Sequence, residues 1–323
     1  MPTAPHHSSK SPDPIDPSLL VAARDHLDDG QRYEQAGACA RAISAYRAAL
    51  DSGATIAEQA EAHLRIARVH RSLAEWDDAI AESREAVRLA DAAGSDDLAA
   101  EAMNVEVGVH QLRGDFDAGH ALAERAIARA RTPRIRGILL QNRGAMAARA
   151  GDFTRAEELF SQSVQAFREA DYQLGMAIAL NNAAAAACDG GDPARALELG
   201  RDAAAIAYRL EAFDVLILAL QNQAQALVEL DRTDEAEAML WHTLGHFVTT
   251  ENVLRQAECL EILGRLHARR PAFRDEAVKL FERAASLAAS VGDRGLCERV
   301  AGRLGELGAA DRAACAPDDA SGA

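Results

Sequence analysis

The sequence predicts an all-α solenoid of about seven helix-turn-helix units followed by a capping helix, and it shows no strand pattern. The main observation is a short turn that recurs about every 40 residues, at Gly37, Ala74, Gly114, Gly151, Gly191 and Asp231. A seventh turn falls near residues 270–272. Self-similarity at a fixed period of this length is typical of repeat proteins, in which each unit contacts mainly its neighbours. Abundant alanine and only 4% aromatic residues agree with closely approaching helices.

The elements follow in chain order from this period. Residues 1–16 are polar and proline-rich and are expected to be disordered, and Pro17 begins the first helix. The predicted units span 17–53, 54–94, 95–131, 132–170, 171–210, 211–250 and 251–291. A final helix over 293–308 places Leu296, Val300 and Leu304 at helical spacing and is expected to cap the array. Residues 309–323 are small and acidic and are predicted to form a flexible tail.

Composition narrows the function class. The formal net charge of the 323 residues is -15, so a nucleic-acid partner is not expected. Five cysteines without a Cys-x-x-Cys pair indicate free thiols in a reducing compartment. No apolar run reaches the roughly 18 residues of a membrane span, and the N-terminus lacks the apolar stretch of a signal peptide. We therefore expect a cytoplasmic protein with no membrane partner, and its oligomeric state stays open.

The sequence contains no enzyme signature, and no cofactor is expected. His70, His110 and His267 each occupy the position that Tyr33 holds in the first unit, so we interpret them as rings wedged between helices. His242 and His246 stand at ligand spacing on one helical face but lack an acid in phase, so no metal is predicted.

Small and large residues alternate at fixed positions of each unit. In the first unit these are Gly30, Tyr33, Ala42, Tyr46 and Ala49, and in the seventh they are Gly264, His267, Ala277, Phe281 and Ala284. This pattern resembles the tetratricopeptide repeat, in the long form of about 40 residues found in kinesin light chains and bacterial regulators. The resemblance covers about residues 18–291. It implies a right-handed superhelix with the first helix of each unit on the inner groove.

The candidate binding residues are amides at one position of three consecutive units. Asn142, Asn182 and Asn222 are 40 residues apart, and Asn104 lies one residue off this register. The flanking candidates are Gln141, Asn181, Gln221 and Gln225. An amide offers both a donor and an acceptor, which matches the backbone of an extended peptide. The segment also resembles the Leu-Asn-Asn-Leu-Ala pattern of kinesin light chains, which implies peptide contact. The alternative is that these amides bond neighbouring helices and hold the stack in register.

A second candidate is the arginine series Arg65, Arg68 and Arg71, whose spacing of three places the side chains near one helical face. Such a cluster would select an acidic peptide or a carboxylate. The alternative is a solvated face balanced by nearby glutamates, which is the commoner fate of charge runs.

These features together predict a non-enzymatic adaptor that captures an extended segment of a partner protein or peptide in the groove. Two other functions remain open. A regulatory sensor subunit would change its compactness on binding, and a fixed scaffold would use the convex face.

Overall fold

The computed structural model describes residues 17–314, with side chains described for 21–308, and in this part of the chain all regular structure is helical. The helices are α1 (Pro17–Gln35), α2 (Cys39–Asp51), α3 (Ile56–Ser72), α4 (Trp76–Ala92), α5 (Asp96–Arg113), α6 (Phe116–Arg129), α7 (Pro133–Arg149), α8 (Phe153–Glu169), α9 (Gln173–Asp189), α10 (Pro193–Arg209), α11 (Phe213–Glu229), α12 (Thr233–Thr249), α13 (Val253–Ala268), α14 (Arg274–Ser290) and α15 (Arg294–Ala314). A single 3₁₀ turn, Pro271–Phe273, precedes α14. The all-α helical-repeat prediction is confirmed. The predicted tail at 1–16 lies outside the described residues, as does the predicted tail at 309–323 apart from residues 309–314, which continue the last helix.

The chain divides into two compact units, Met1–Met146 (unit 1) and Ala147–Ala323 (unit 2). In unit 1, α1 packs on α2, α3 on α4 and α5 on α6, and the first helices α1, α3 and α5 also contact one another in sequence. In unit 2 the pairs are α9 with α10, α11 with α12 and α13 with α14, and the first helices α9, α11 and α13 follow the same arrangement. Each unit therefore repeats one helical hairpin.

The six turns anchored at the residues named in the sequence analysis share one backbone conformation. All six anchor residues named above have a positive φ, from 59° at Ala74 to 86° at Gly191. The residue after the anchor then donates its N–H to a carbonyl five residues earlier, as Glu75 does to His70 at 2.9 Å. This is the helix-ending arrangement for which glycine is best suited, because it has no Cβ to oppose a left-handed conformation. Ala74 and Asp231 adopt it with side chains, at a cost of about 1 kcal/mol each.

Within a hairpin, a small residue of the first helix lies against an aromatic ring of the second. Tyr46 is fully buried against Gly30, and Phe281 lies against Gly264 in the same way. A Cβ at Gly264 would stand 2.6 Å from the Phe281 ring, so any larger residue would separate the helices. The small-and-large pattern read from the sequence therefore corresponds to direct contacts between paired helices.

The last helix, α15, contacts α14 and α13. Leu296 and Val300 are buried there, as their spacing predicts. The helix continues to Ala314, six residues beyond the end predicted from the sequence. None of the described helices is long and apolar enough to span a membrane.

Candidate functional site

The first helices of unit 2 and the final helix enclose a pocket of about 800 Å³, which we call the unit 2 pocket. It is lined by residues of α9, α11, α13 and α15, with Ala148 and Phe153 at one side. The volume lies within the range of about 300–1,000 Å³ that is usual for ligand clefts. Three of the candidate amides, Gln221, Asn222 and Gln225, line this pocket together.

The asparagines of unit 2 connect neighbouring first helices. The Nδ2 of Asn222 on α11 donates to the side-chain Oδ1 of Asn181 on α9 at 2.9 Å, and it lies 3.2 Å from the carbonyl oxygen of the same residue. Asn182, the residue at the 40-residue spacing, is half-buried, and its side chain makes no hydrogen bond within the described part of the chain. The bridge between helices is thus shifted by one residue from the predicted series, and Asn222 keeps only its oxygen for a ligand.

In unit 1 the equivalent bridge joins α7 to α5. The Nδ2 of Asn142 donates to the Oδ1 of Asn104 at 2.8 Å. Gln141 is half-buried, and its side chain has no hydrogen-bond partner among residues 21–308. The off-register Asn104 is therefore part of the same kind of contact that Asn181 makes in unit 2, and this placement supports the alternative that some of these amides hold the helices in register.

The glutamines of α11 reach further into the unit 2 pocket. Gln221 is only 4% exposed, and its Nε2 donates to the Oε2 of Glu258 on α13 at 3.2 Å. Its Oε1 is buried and has no hydrogen-bond partner. Gln225 donates to the Oδ1 of Asp189 at the end of α9, at 3.3 Å. A buried amide oxygen without a donor is unusual in proteins, and it indicates a group whose hydrogen bond is completed by something else.

Charged residues make up much of the pocket lining. The acidic ones are Asp189, Glu229, Glu258, Glu261, Glu298 and Glu306. The basic ones are Arg255, Arg265, Arg299 and Arg303. The lining therefore carries six carboxyl groups against four guanidinium groups, and it has an acidic excess before any partner binds.

Burial perturbs the groups at the floor of this pocket. Glu261 is 8% exposed, and burial raises its pKa from 4.5 to about 7, with Arg299 and Arg303 acting in the opposite direction. Asp189 is exposed, but partial desolvation by its neighbours raises its pKa, a shift that Gln225 partly opposes. Arg265 forms an ion pair with Glu229, and burial lowers the pKa of its guanidinium. Cys188 lines the same floor, and burial raises the pKa of its thiol to about 11, so the thiol is protonated and unreactive at neutral pH.

The arginine series of unit 1 separates into paired and unpaired members. Arg65 bonds Glu61 on its own helix at 3.2 Å, and Arg68 pairs with Glu101 on α5. Arg71 has no acidic partner among the described side chains, and its guanidinium lies against Gly108 on α5. Burial lowers the pKa of Arg71, and the neighbouring Arg68 adds to this. Two of the three arginines are thus already neutralised by glutamates.

The histidines in the wedge position contact acids at the hairpin turns. His70 bonds Glu75, and the Nε2 of His267 lies 3.2 Å from Glu237. His70, Glu75 and Asp78 form the one group of three potential ligands whose donor atoms lie within 4.8 Å of one another in the described part of the chain. Both carboxylates are exposed, and the hydrogen bond already accounts for the imidazole nitrogen of His70.

One segment of the chain matches a known family of proteins. Residues 136–209, from α7 to the end of α10, match the tetratricopeptide repeat family. The recognition of this repeat from the sequence is therefore confirmed over that segment. No match by sequence was found among curated proteins.

Solved structures share the fold at low sequence identity. A Rap protein complexed with Competence and Sporulation Factor matches with a TM-score of 0.61 and 14% identity, over 90% of this chain and 76% of that one. The apo form of RapI gives 0.64 and 10%, over 84% and 98%. Aspartyl phosphate phosphatase F from Bacillus subtilis gives 0.67 and 13%, over 84% and 71%. These likenesses show a common helical-repeat fold.

Sequence reasoning found the amides of the pocket but missed its charges. The series Arg255, Glu258, Glu261 and Arg265 runs along α13 at spacings of three and four, which is a readable signal that one helical face is charged. Nothing in the sequence says that this face is turned towards α9 and α11. The sequence also assigned α15 a capping role only, although Arg299 and Arg303 of that helix line the pocket.

Proposed function

We propose that this protein is a non-enzymatic binding adaptor that captures an extended segment of a partner protein or peptide in the unit 2 pocket. The observation that carries the proposal is Gln221, a glutamine that is almost fully buried while its oxygen faces no donor in a cleft lined by four helices. A peptide N–H is a donor that would satisfy it.

The geometry suits capture of a main chain. Gln221 and Asn222 are adjacent on α11, and Gln225 lies one turn further along. Each keeps an oxygen that no described donor occupies, while the amide nitrogens are held by Glu258, Asn181 and Asp189. The amide planes are thereby fixed before a ligand arrives, which lowers the entropy lost by the receptor on binding. The partner segment would still lose its own conformational freedom, so micromolar affinity is the expected range.

The rest of the predicted contact set carries over as part of this proposal. In unit 2, the half-buried side-chain amide of Asn182 has no hydrogen-bond partner within the described part of the chain, so it can bond a ligand. In unit 1, Arg71 has no carboxylate partner among the described side chains, and we propose it as a separate contact for an acidic residue.

A matched pair of glycines tests the proposal. Gly302 on α15 lines the pocket, and Gly245 on α12 does not, yet both lie within helices and have nothing within 4 Å of the position a Cβ would take. Peptides would first be selected on the wild-type protein from a random phage-displayed library. The affinity of a selected peptide would then be measured by fluorescence anisotropy on wild type, Gly302→Phe and Gly245→Phe.

We expect Gly302→Phe to weaken binding at least tenfold, since the ring fills the cleft, while Gly245→Phe binds like wild type. Equal affinities in all three proteins would place the peptide on another surface. A library that yields no peptide would contradict the capture of extended segments altogether.

One observation favours the scaffold alternative. Tyr208 on α10 and Val248 on α12 occupy equivalent positions 40 residues apart on second helices, and both side chains are exposed, as is Trp241 on α12. Exposed aromatic residues are enriched at protein interfaces. A scaffold function would survive Gly302→Phe and would fail in the double variant Tyr208→Ser with Trp241→Ser, measured as loss of a partner co-purified with the wild type.

A further inference from the structure

The unit 2 pocket presents two carboxyl groups, those of Glu261 and Asp189, to which no cation among the described residues donates a hydrogen bond. The nearest cation to Glu261 is Arg265, at 3.8 Å, which is too long for a hydrogen bond. Asp189 receives only the neutral amide of Gln225. Buried carboxyl groups in proteins are normally paired, because removal of an unpaired charge from water is costly. Glu261 is buried and incompletely paired, whereas Asp189 is exposed on the same pocket lining and accepts a hydrogen bond only from a neutral amide.

The basic residues nearby are already engaged. Arg265 pairs with Glu229, which also takes Arg269 at 2.7 Å. Arg255 is held by Glu258 at 2.6 Å. Neither arginine of α13 is therefore free to turn to Glu261 or Asp189 without breaking another ion pair.

A second, independent observation concerns the neutral lining. The Oε1 of Gln221 is buried and unpaired, and its amide nitrogen is bound to Glu258. An amide oxygen only accepts hydrogen bonds, as does an ionised carboxylate. The buried groups of this pocket that lack a donor, Gln221 Oε1 and the carboxylate of Glu261, are acceptors, and the ligand group that fits them is a hydrogen-bond donor with positive charge.

The last helix places two further guanidinium groups at the same pocket without closing it. Arg303 forms an ion pair with Glu306 on its own helix at 3.2 Å, and Arg299 has no ion pair among the described residues. Both lie close enough to act on Glu261 electrostatically, but neither donates a hydrogen bond to it. The two arginines offset part of the negative charge of Glu261 at a distance and leave its carboxylate oxygens without a hydrogen bond from α15.

We propose that the unit 2 pocket contains a cation subsite in which a guanidinium or ammonium group of the captured segment is bound by Asp189, Glu261 and the Oε1 of Gln221, while Arg299 and Arg303 of α15 partly offset the same carboxyl groups in the free protein. This subsite rests on the proposed function, because it is part of the same groove. It adds a specificity: the captured segment carries arginine, lysine or a free amino terminus at one defined position.

The first experiment is a positional-scanning library of hexapeptides, incubated with immobilised full-length protein and read by mass spectrometry. One arm of the library is N-terminally acetylated and the other has a free amino terminus. We expect enrichment of arginine or lysine at a single position of the acetylated arm. Enrichment confined to the free-amine arm would assign the subsite to a peptide amino terminus, which also satisfies the proposal.

The second experiment locates that cation. The enriched peptide is compared with a copy in which the neutral isostere citrulline (for lysine, norleucine) replaces the basic residue. The wild-type protein should bind the neutral copy about tenfold or more weakly than the basic peptide, since hydrogen bonds to charged groups contribute strongly. Glu261→Gln keeps the shape of the side chain and should reduce this ratio of the two affinities to about twofold or less. Glu282→Gln, an exposed substitution on the neighbouring helix α14, should leave the ratio unchanged. Arg299→Ala should tighten binding of the basic peptide by a few fold, because a competing positive charge is removed.

The possible failures are distinguishable. If peptides are enriched without any basic position, the cation subsite is wrong and peptide capture stands. If the ratio of affinities is the same in wild type and Glu261→Gln, the basic residue binds elsewhere and the subsite is again wrong. If no peptide is retained, both the subsite and the proposed capture of extended segments are wrong.

Discussion

Replacement of the buried Glu261 by glutamine should stabilise the C-terminal part of the protein at alkaline pH. Burial raises the pKa of this carboxyl group from 4.5 to about 7. A pKa difference corresponds to about 1.4 kcal/mol per unit, so holding Glu261 ionised in the folded state costs about 3 kcal/mol. Glutamine has nearly the same shape and no charge, and the cost disappears.

The sign of the pH dependence follows from the direction of the shift. The folded state binds the Glu261 proton more tightly than the unfolded state does. The favourable contribution of this group is therefore complete below pH 4.5 and is lost as the pH rises through about 7. Wild type and Glu261→Gln should have similar stability near pH 4.5, and the variant should gain steadily up to about pH 8.

Amide hydrogen exchange is the appropriate assay, because repeat arrays do not necessarily unfold in one step and exchange reports each helix separately. At pH 8, peptides from α13 should be protected on the order of 100-fold more in Glu261→Gln than in wild type. Peptides from α3 in unit 1 should not change, and Glu282→Gln should match wild type throughout. Equal or lower protection of α13 in the variant at pH 8 would refute the reasoning, since it would mean that the surrounding arginines stabilise the ionised carboxylate fully.

Three further predictions concern stability and reactivity. Ala74→Gly should raise the unfolding free energy by about 0.5–1 kcal/mol, and Gly114→Ala at the equivalent turn should lower it by about 1 kcal/mol, because only glycine adopts the positive φ without strain. Chemical denaturation measures both changes, and a loss of stability in Ala74→Gly would contradict this prediction. Asn222→Ala should cost about 1 kcal/mol through loss of the bridge between helices, whereas Asn182→Ala should be neutral or slightly stabilising; equal effects in thermal melts would show that the bridge contributes nothing. At pH 7.5 iodoacetamide should alkylate Cys188 about 100-fold more slowly in the folded protein than in urea, because a thiol pKa of about 11 leaves little thiolate. Peptide mapping follows the reaction, and equal rates would contradict the burial of this thiol.

The fold could be predicted from the sequence because its main determinants are local and recur. A glycine such as Gly37 at a helix end, and a glycine facing a ring as Gly264 faces Phe281, each specify one contact inside one hairpin. The left-handed turn recurs in phase at six anchors, so the period alone indicates the architecture. Even the turns without glycine, at Ala74 and Asp231, were identified from the spacing and have the same backbone.

The site could be predicted only in part, because side-chain direction between units depends on how neighbouring hairpins rotate against each other. One residue along an α-helix turns the side chain by about 100°, since a turn holds 3.6 residues. The amide series therefore identified α9 and α11 correctly as neighbours but not the partner: Asn222 bonds Asn181 and not Asn182. The rotation between hairpins also decides that the side chain of Glu261 is buried, and the periodicity within α13 cannot supply that rotation.

The charged floor of the pocket has a physical consequence for how a binding surface of this kind achieves selectivity. Amides such as Asn222 and Gln225 accept any peptide backbone, and they therefore contribute affinity with little discrimination. Glu261 is buried and held incompletely paired in the free protein, so the folded state bears a cost that a correctly charged ligand removes. A neutral segment leaves that cost in place, and an acidic one increases it. Selectivity in this pocket thus arises from destabilisation built into the free protein, and stabilising it by Glu261→Gln should weaken discrimination between basic and neutral segments while leaving the affinity for neutral ones nearly unchanged.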